Sequence, residues 1–337
     1  LGMGLLFLMA GYELDLRELT GAMGRHAALC WAVSFVAALL LTPALGLGLD
    51  QTGVAAFSIA LTTTAYGTLV PIMRDRELGG TSVGEVIESY GAMGEILPVV
   101  AMSLLLSPSR SLGANVAVLV GFVAFCVFVA SRGRWAAEMG SRLSRFLHEN
   151  AESSSQPTLR AVVALLCALL AIAAVLDLDA VLAAFAAGFI LRHVTPAEHG
   201  HRLMDKVEAL GNGLFVPVFF VYSGIGIELS AVGEQPGLLV GFMALLLLIR
   251  ALPLLASLAL SPETRSMPLG EKISASLYCT MALPLIVALT EAATACGAMD
   301  EQMASVLVCA GALTVLVIPI ITSLSVRAVE IGRASCR

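Results

Sequence analysis

The chain of 337 residues is 58% hydrophobic and only 13% charged, and its mean hydropathy is +0.91. This composition excludes a soluble two-domain protein and predicts an all-α polytopic membrane protein. The net charge of −6 gives no reason to expect a nucleic acid partner, and the seven cysteines match no metal-ligand spacing, so no cofactor or resident metal is expected. Because no motif of a nucleotide-binding or hydrolytic site occurs, nothing indicates an enzyme.

Hydropathy predicts eleven membrane segments. Seventeen lysine and arginine residues lie in the loops after odd-numbered segments or in the tail, whereas Arg110 alone lies in an even-numbered loop and Arg250 lies inside a segment. By the positive-inside rule the odd-numbered loops are cytoplasmic. The eleven segments cover approximately residues 1–12, 27–47, 53–73, 84–106, 114–131, 159–176, 179–193, 212–228, 236–260, 271–292 and 302–326.

A short pattern recurs at an offset of 213 residues. LFLMAGYELDL, which starts at residue 6, resembles FFVYSGIGIEL, which starts at residue 219, and this pairs Gly11 with Gly224. The same offset pairs Pro71 in the third segment with Pro284 in the tenth. Since the paired segments are seven apart, they cross the membrane in opposite directions, which is typical of inverted-topology repeats. The alternative is chance recurrence of short apolar motifs.

The fourth segment, residues 84–106, carries Glu95 in the middle of an otherwise apolar stretch. At about 1.5 Å per helical residue, Glu95 lies roughly 16 Å from the start of the segment, near the centre of a hydrocarbon core about 30 Å thick. A carboxylate at that depth is costly unless it faces protein or a water-filled cavity, so it indicates an ion or proton pathway. The alternative is a protonated structural glutamate that is hydrogen-bonded to a neighbouring helix.

The third and tenth segments contain residues that interrupt helices. The third has three consecutive threonines and Pro71, and the tenth has Thr280 and Pro284. We predict two broken helices that meet near the middle of the membrane and present carbonyl groups and half-helix dipoles to a cation, with Thr63 and Thr64 as candidate ligands. The alternative is a pair of proline kinks with threonine hydroxyls bonded back to their own helices.

Two further charged residues belong to the predicted pathway. Arg250 is the only basic residue deep in a segment, so it needs an anionic partner or a carbonyl cage, and Glu95 is the one comparably deep acid. Because arginine does not deprotonate in proteins, Arg250 can tune the site but cannot carry the proton. Glu88, seven residues before Glu95 and nearly on the same helical face, is predicted to line a cytoplasmic funnel; a solvated helix start is the alternative.

Several motifs occur in a characteristic order. They are AGYELDL (10–16), TTTAYGTLVP (62–71), AMGEILP (92–98), AAFAAGFIL (183–191), PVFFVYSG (217–224) and a deep arginine. This order resembles that of bacterial Kef-type monovalent cation/proton antiporters, in the second cation:proton antiporter superfamily. The resemblance covers nearly the whole chain.

The resemblance implies a sodium/proton antiporter-like fold with inverted-topology repeats and two discontinuous crossing helices. It places Glu95 at the cation- and proton-binding acid, Arg250 at a basic position and Thr64 in the unwound helix. Many relatives have Asp, Asn or Gln where this chain has Gly94, and this departure affects the expected ion selectivity and stoichiometry. The implied function is exchange of Na⁺ or K⁺ for protons by alternating access, with electroneutral stoichiometry, in a multi-pass protein of the bacterial inner membrane that forms homodimers in the lipid bilayer.

The resemblance also implies a domain plan in which the first two helices of the family are missing from this chain. The plan comprises a partial dimerisation helix and loop (1–26), the first half of the core transport bundle (27–106), a linker helix (107–131), a cytoplasmic amphipathic loop (132–158), the dimerisation domain (159–229) and the second half of the core (236–326). Independently of the family, EIGRASCR at residues 330–337 resembles the translation of a common sequencing adaptor, so a non-native tail is expected there.

Other functional classes remain open at this point. A cation efflux channel or a symporter could use the same architecture, but a channel would not need Glu95 to exchange its proton. A non-transporting membrane sensor or scaffold is a third alternative, which the short loops disfavour.

Overall fold

The computed structural model describes residues 1–14, 19–106, 112–139, 157–195, 197–227, 229–234 and 236–335, and in these ranges the regular secondary structure is entirely helical. The α-helices are α1 (Gly2–Glu13), α2 (Ala22–Leu41), α3 (Gln51–Thr62), α4 (Tyr66–Asp75), α5 (Ser82–Val86), α6 (Ala92–Leu105), α7 (Leu112–Met139), α8 (Pro157–Val175), α9 (Ala180–Val194), α10 (Ala197–Leu210), α11 (Val216–Ile225), α12 (Leu229–Glu234), α13 (Pro236–Leu246), α14 (Leu252–Leu260), α15 (Leu269–Tyr278), α16 (Leu283–Ala295) and α17 (Glu301–Ser335).

Among the described residues, three π-helical turns join neighbouring helices into longer segments. They are Ile87–Gly91 between α5 and α6, Gly211–Phe215 between α10 and α11, and Leu247–Ala251 between α13 and α14. A short 3₁₀ turn, Thr42–Leu45, follows α2. Single π-helical turns within α-helices occur frequently at functional sites.

Long apolar helical segments make this a multi-pass membrane protein. Within the described ranges seven segments are long and apolar enough to cross a membrane: Ala22–Leu45, Gln51–Asp75, Thr158–Val175, Arg202–Ile225, Pro236–Leu260, Leu269–Ala295 and Glu301–Thr322. The shorter apolar helices Gly113–Val129 and Ala180–Val194 coincide with two further predicted segments. The all-α polytopic fold predicted from composition is therefore confirmed.

Helices α7 and α17 extend beyond the predicted segment ends. Helix α7 continues to Met139, beyond the predicted linker boundary at residue 131, because no proline interrupts the sequence there. Most of the predicted amphipathic loop, residues 140–156, lies outside the described residues. The backbone of α17 remains helical to Ser335, so the helix extends into the predicted tail, and residues 336–337 lie outside the described part.

The chain divides into two compact units, and the first comprises Leu1–Leu14 and Ser107–Ile225. Its centre is the contact between α1 and α9, where Gly11 lies against the carbonyl of Phe185 and Gly188 lies against the carbonyl of Leu8. Any Cβ at either glycine would overlap these backbone atoms. Small residues at such crossings let two membrane helices approach through their backbones.

Side chains of this unit make hydrogen bonds to backbone groups at the end of α1 and at the start of α9. Nη1 of Arg192 donates to the carbonyl oxygens of Tyr12 and Glu13, both at 2.9 Å, and so satisfies the C-terminal end of α1. Asp179 is the N-cap of α9, and its Oδ1 accepts the amide of Val181 at 2.7 Å.

The second unit comprises Asp15–Leu106 and Gly226–Arg337 and contains two broken segments. The first break separates α3 from α4 at residues 63–65, where the backbone of Thr63 is extended (φ −73°, ψ 150°). The second separates α15 from α16 at residues 279–282.

The prolines do not mark the two breaks in the same way. Pro71 lies inside α4, six residues beyond Ala65, so the prediction of a break at Pro71 is corrected to residues 63–65. Pro284 lies in the first turn of α16, where its missing N–H leaves no intrahelical bond unmade. The offset of 213 residues that aligns the prolines therefore does not align the breaks, and an inverted repeat stays a prediction.

Candidate functional site

The two breaks contact each other within the second unit. The amide of Ala65 donates to the carbonyl oxygen of Met281 at 2.7 Å, which joins the first break directly to the second. One residue earlier, the amide of Thr64 donates to the carbonyl oxygen of Gly94 on α6 at 2.8 Å. These bonds satisfy backbone groups that an interrupted helix would otherwise leave unpaired in the apolar interior, and they place α6 beside the crossing.

Glu95 lies in the first turn of α6 and is only 2% exposed. Its Oε2 accepts the backbone amide of Gly67 at 3.3 Å. Gly67 belongs to the first turn of α4, so the carboxylate faces the N-terminal end of a half-helix. The amides at the start of a helix carry a partial positive charge that stabilises an anion. The structure therefore places the predicted carboxylate at the break in the third segment.

The guanidinium of Arg250 is completely buried and donates to three neutral oxygens. Nη2 donates to Oγ1 of Thr64 at 2.8 Å and to the carbonyl oxygen of Tyr90 at 3.0 Å. Nε donates to Oγ1 of Thr64 at 3.1 Å and to the carbonyl oxygen of Cys279 at 3.4 Å. Of the two alternatives predicted for this arginine, its observed hydrogen bonds correspond to the carbonyl cage.

The hydroxyl of Thr64 connects the two breaks and Arg250. It donates to the carbonyl oxygen of Cys279 at 2.5 Å and accepts from Nε and Nη2 of Arg250. A hydroxyl has one donor and two lone pairs, so these bonds use its whole capacity. The geometry therefore gives Thr64 a bridging position, and the ligand role of its hydroxyl stays a prediction.

The other predicted site residues lie around this centre in the second unit. The hydroxyl of Thr63 donates to the carbonyl oxygen of Ala60 at 2.9 Å, within its own helix end. In the second break, the hydroxyl of Thr280 donates to the carbonyl oxygen of Leu277 at 2.6 Å. Both hydroxyls thus bond back to their own segments, as the proline-kink alternative predicts, although both segments are broken.

Glu88 lies in the π-helical turn Ile87–Gly91 and is partly exposed. A π-helical turn holds an extra residue, so a spacing of seven residues no longer corresponds to two turns. The expectation that Glu88 and Glu95 share one helical face is therefore corrected, because that turn lies between them.

Some residues of this centre were not predicted from the sequence. Tyr90 supplies a carbonyl oxygen to Arg250, and the amide of Gly67 and the carbonyl of Cys279 are backbone groups with no residue-type signal. Gly94 was noted only as a departure from related sequences. The structure gives it a steric reason, because a Cβ at Gly94 would overlap Nη2 of Arg250.

A comparison of the sequence with models of protein families identifies the family of this chain. The family model described as "Sodium/hydrogen exchanger, transmembrane" matches residues 1–328. The chain belongs to the sodium/hydrogen exchanger family. The crossing of the two broken segments, Glu95 and Arg250 all lie within the matched region.

Three curated proteins illustrate the similarity to this exchanger-family chain. Cation/H(+) antiporter 18 of Arabidopsis thaliana is 27% identical over 71% of the chain and 30% of its own length. The Na(+)/H(+) antiporter of Enterococcus hirae is 27% identical over 53% of the chain and 46% of its own length. The Na(+)/H(+)-K(+) antiporter GerN of Bacillus cereus is 26% identical over 69% of the chain and 59% of its own length. The matched regions thus cover less than two thirds of each relative.

Proposed function

We propose that this protein exchanges Na⁺ or K⁺ for protons across a membrane and that Glu95 is the residue at which the two ions compete. The observation that carries the proposal is a buried carboxylate at the crossing of two broken helices, with one oxygen on the N-terminal end of α4. Family membership and relatives that are named as antiporters support it.

The proposed chemistry needs a single carboxylate. An ionised Glu95 binds either a proton or a monovalent cation, and each one excludes the other. The amide of Gly67 holds Oε2 in place, while carbonyl groups at the ends of the half-helices and the remaining lone pairs of the Thr63 hydroxyl are candidate partners for a cation. Arg250 retains its charge throughout and so carries no proton.

The proposed stoichiometry is one cation for one proton. Glu95 is neutralised once in either loaded state, and Gly94 supplies no second acidic side chain beside it. Each exchange then moves no net charge, so transport is electroneutral. Alternating exposure of the site to the two sides completes the cycle. A current that follows an imposed cation gradient in protein-containing vesicles is the result that contradicts this stoichiometry.

The proposed context follows from the resemblance to Kef-type antiporters. The second unit is assigned to transport and the first to dimerisation, and the protein is a homodimer in the inner membrane of a bacterium. Glu88 is assigned to the cytoplasmic approach to the site. The exposed apolar side chains of α11, which include Val218, Val221 and Ile225, suit contact with lipid or with a second copy.

The test is exchange by the complete protein in liposomes that contain a pH-sensitive dye. An imposed proton gradient is expected to collapse when Na⁺ or K⁺ is added to the wild type, and the effective cation identifies the substrate. Glu95→Gln keeps the shape of the side chain but removes the titratable group, so it is expected to abolish the response. Glu291→Gln, which changes an exposed carboxylate on α16, is the matched control and is expected to retain it.

The outcomes separate the alternative functions. If Glu95→Gln dissipates the gradient as the wild type does, the exchange site does not lie at Glu95. If Glu95→Gln conducts the cation without any proton movement, the channel alternative replaces the exchanger.

A further inference from the structure

Tyr90 is attached to the segment of Arg250 at two points. Its carbonyl oxygen accepts from Nη2 of Arg250 at 3.0 Å, and its hydroxyl lies 2.8 Å from Oγ of Ser257 on α14. Tyr90 is only 1% exposed; its bond to Arg250 is buried, and its bond to the half-buried Ser257 is part-buried. A single residue, five positions before Glu95, therefore joins the carboxylate segment to the arginine segment through its backbone and its side chain.

Both attachment points involve π-helical turns. Tyr90 lies in the turn Ile87–Gly91, and Arg250 lies in the turn Leu247–Ala251. A π-helical turn interrupts the regular i to i−4 bonding of the helix, so contacts outside the helix help to determine where its backbone lies. The bond between the Tyr90 carbonyl and Arg250 joins the two turns directly. Ser257 lies seven residues after Arg250 in α14, so its bond to the Tyr90 hydroxyl links the turn Ile87–Gly91 to the helix that follows the turn of Arg250.

The position of the guanidinium matters because it lies beside the carboxylate segment. Nη2 of Arg250 occupies the space next to Gly94, the residue that precedes Glu95. Nη1 is buried and has no hydrogen-bond partner among the described residues, so this nitrogen is available for a further hydrogen bond. A guanidinium that pairs with a carboxylate favours the ionised form and competes with both a proton and a bound cation.

We propose that Tyr90 and Ser257 are positioning residues that keep the guanidinium of Arg250 on its neutral oxygens and so preserve the ability of Glu95 to exchange ions. This inference rests on the proposed function of Glu95. Without the bond between its hydroxyl and Ser257, Tyr90 is held less firmly, and its carbonyl binds Nη2 of Arg250 less well. The guanidinium can then move and compete with a proton or a cation for the Glu95 carboxylate.

The test compares the pH profile of exchange in Tyr90→Phe, Ser257→Ala and the double variant with that of the wild type. Each single variant removes the same hydrogen bond from a different side, and Tyr90→Phe keeps the buried ring. Ser257→Ala also removes the hydrogen bond between Ser257 and the thiol of Cys30, so Tyr90→Phe is the cleaner of the two variants. Full pairing with a guanidinium lowers the pH at which a carboxylate loses its proton by about 1–3 units, so partial release is expected to move the profile by at least roughly half a unit to lower pH. The double variant is expected to shift no further than Ser257→Ala alone, because the bond between Tyr90 and Ser257 is already lost in that variant.

Two control variants separate positioning from general loss of packing. Tyr278→Phe removes a hydroxyl from another buried tyrosine of the second unit, and Ser276→Ala removes a buried hydroxyl that makes no hydrogen bond within the described ranges. Both are expected to follow the wild-type profile. An unchanged profile in Tyr90→Phe and Ser257→Ala, a shift to higher pH, or a lower rate without a shift overturns the positioning role.

The same experiment distinguishes this inference from the proposed function. If the wild type does not exchange ions, or if Glu95→Gln does, the proposed function itself is contradicted. If the wild type exchanges ions, Glu95→Gln is inactive and Tyr90→Phe keeps the wild-type profile, only the positioning role of Tyr90 and Ser257 is contradicted.

Discussion

Gly94 packs against Arg250 so closely that a Cβ at this position would overlap Nη2 of the guanidinium. A Cβ there would also lie 2.5 Å from Oγ1 of Thr64. The residue that precedes the buried carboxylate is therefore part of the pocket that holds the arginine. A larger residue can be accommodated only if the guanidinium moves.

Gly94→Ala is expected to destabilise the second unit by about 1–3 kcal/mol, because the new methyl group overlaps Arg250 and Thr64. The free energy of unfolding of the purified protein in detergent measures this effect. Gly241→Ala is the matched control, since a Cβ at Gly241 meets nothing within 4 Å. Equal stability of the two variants contradicts the close contact.

Thr64→Val is expected to cost about 1–3 kcal/mol in unfolding free energy, since the methyl group that replaces the hydroxyl leaves the buried donors of Arg250 without that acceptor. Thr64→Ser keeps the hydroxyl and is expected to retain most of the stability. In Thr290→Val the lost hydroxyl donates only to Val287 of its own helix, so a smaller cost is expected. The bridging position is disproved if Thr64→Val and Thr290→Val behave alike.

The loop between α14 and α15 is expected to loosen in acid. Hydrogen bonding from Ser261 and, to a smaller degree, the charge of His26 lower the pKa of Glu263 below its ordinary value of 4.5. A carboxylate with a lowered pKa stabilises the folded loop above that ordinary value, and this stabilisation is lost as the pH falls through the lowered pKa. The protection of the backbone amides at residues 261–268 from hydrogen exchange, relative to an unstructured peptide at the same pH, is therefore expected to fall only below about pH 4.5.

A variant at the donor of this hydrogen bond checks the assignment. Ser261→Ala removes the largest contribution to the lowered pKa of Glu263, so the folded pKa moves toward the ordinary value and the loss of protection in acid is expected to be smaller than in the wild type. An equal loss of protection in the two proteins shows that this hydrogen bond does not anchor the loop.

Gly188→Ala is expected to lower the stability of the first unit by about 1–3 kcal/mol, because a Cβ on α9 would overlap the carbonyl of Leu8 and lie 2.6 Å from the amide of Tyr12. Gly121→Ala on α7 is the matched control, since its Cβ meets nothing within 4 Å. Thermal unfolding in detergent measures both variants. A Gly188→Ala protein as stable as its control contradicts the close packing of α1 on α9.

The sequence by itself determined the membrane class and the position of the buried acid. Hydropathy is a local property, so long apolar segments and a carboxylate in the middle of one of them can be recognised without knowledge of packing. The same local signals were sufficient to predict that the third and tenth segments are interrupted, but they located the first interruption at Pro71 instead of residues 63–65.

Only the tertiary structure decided how Arg250 is held. Its oxygen partners belong to Thr64, Tyr90 and Cys279, which come from three other parts of the chain, and two of them are backbone carbonyls that any residue type could supply. The π-helical turns at Tyr90 and Arg250 also leave no pattern in residue type. These contacts depend on which segments pack together and on where each helix is interrupted, so local patterns of residue type do not encode them.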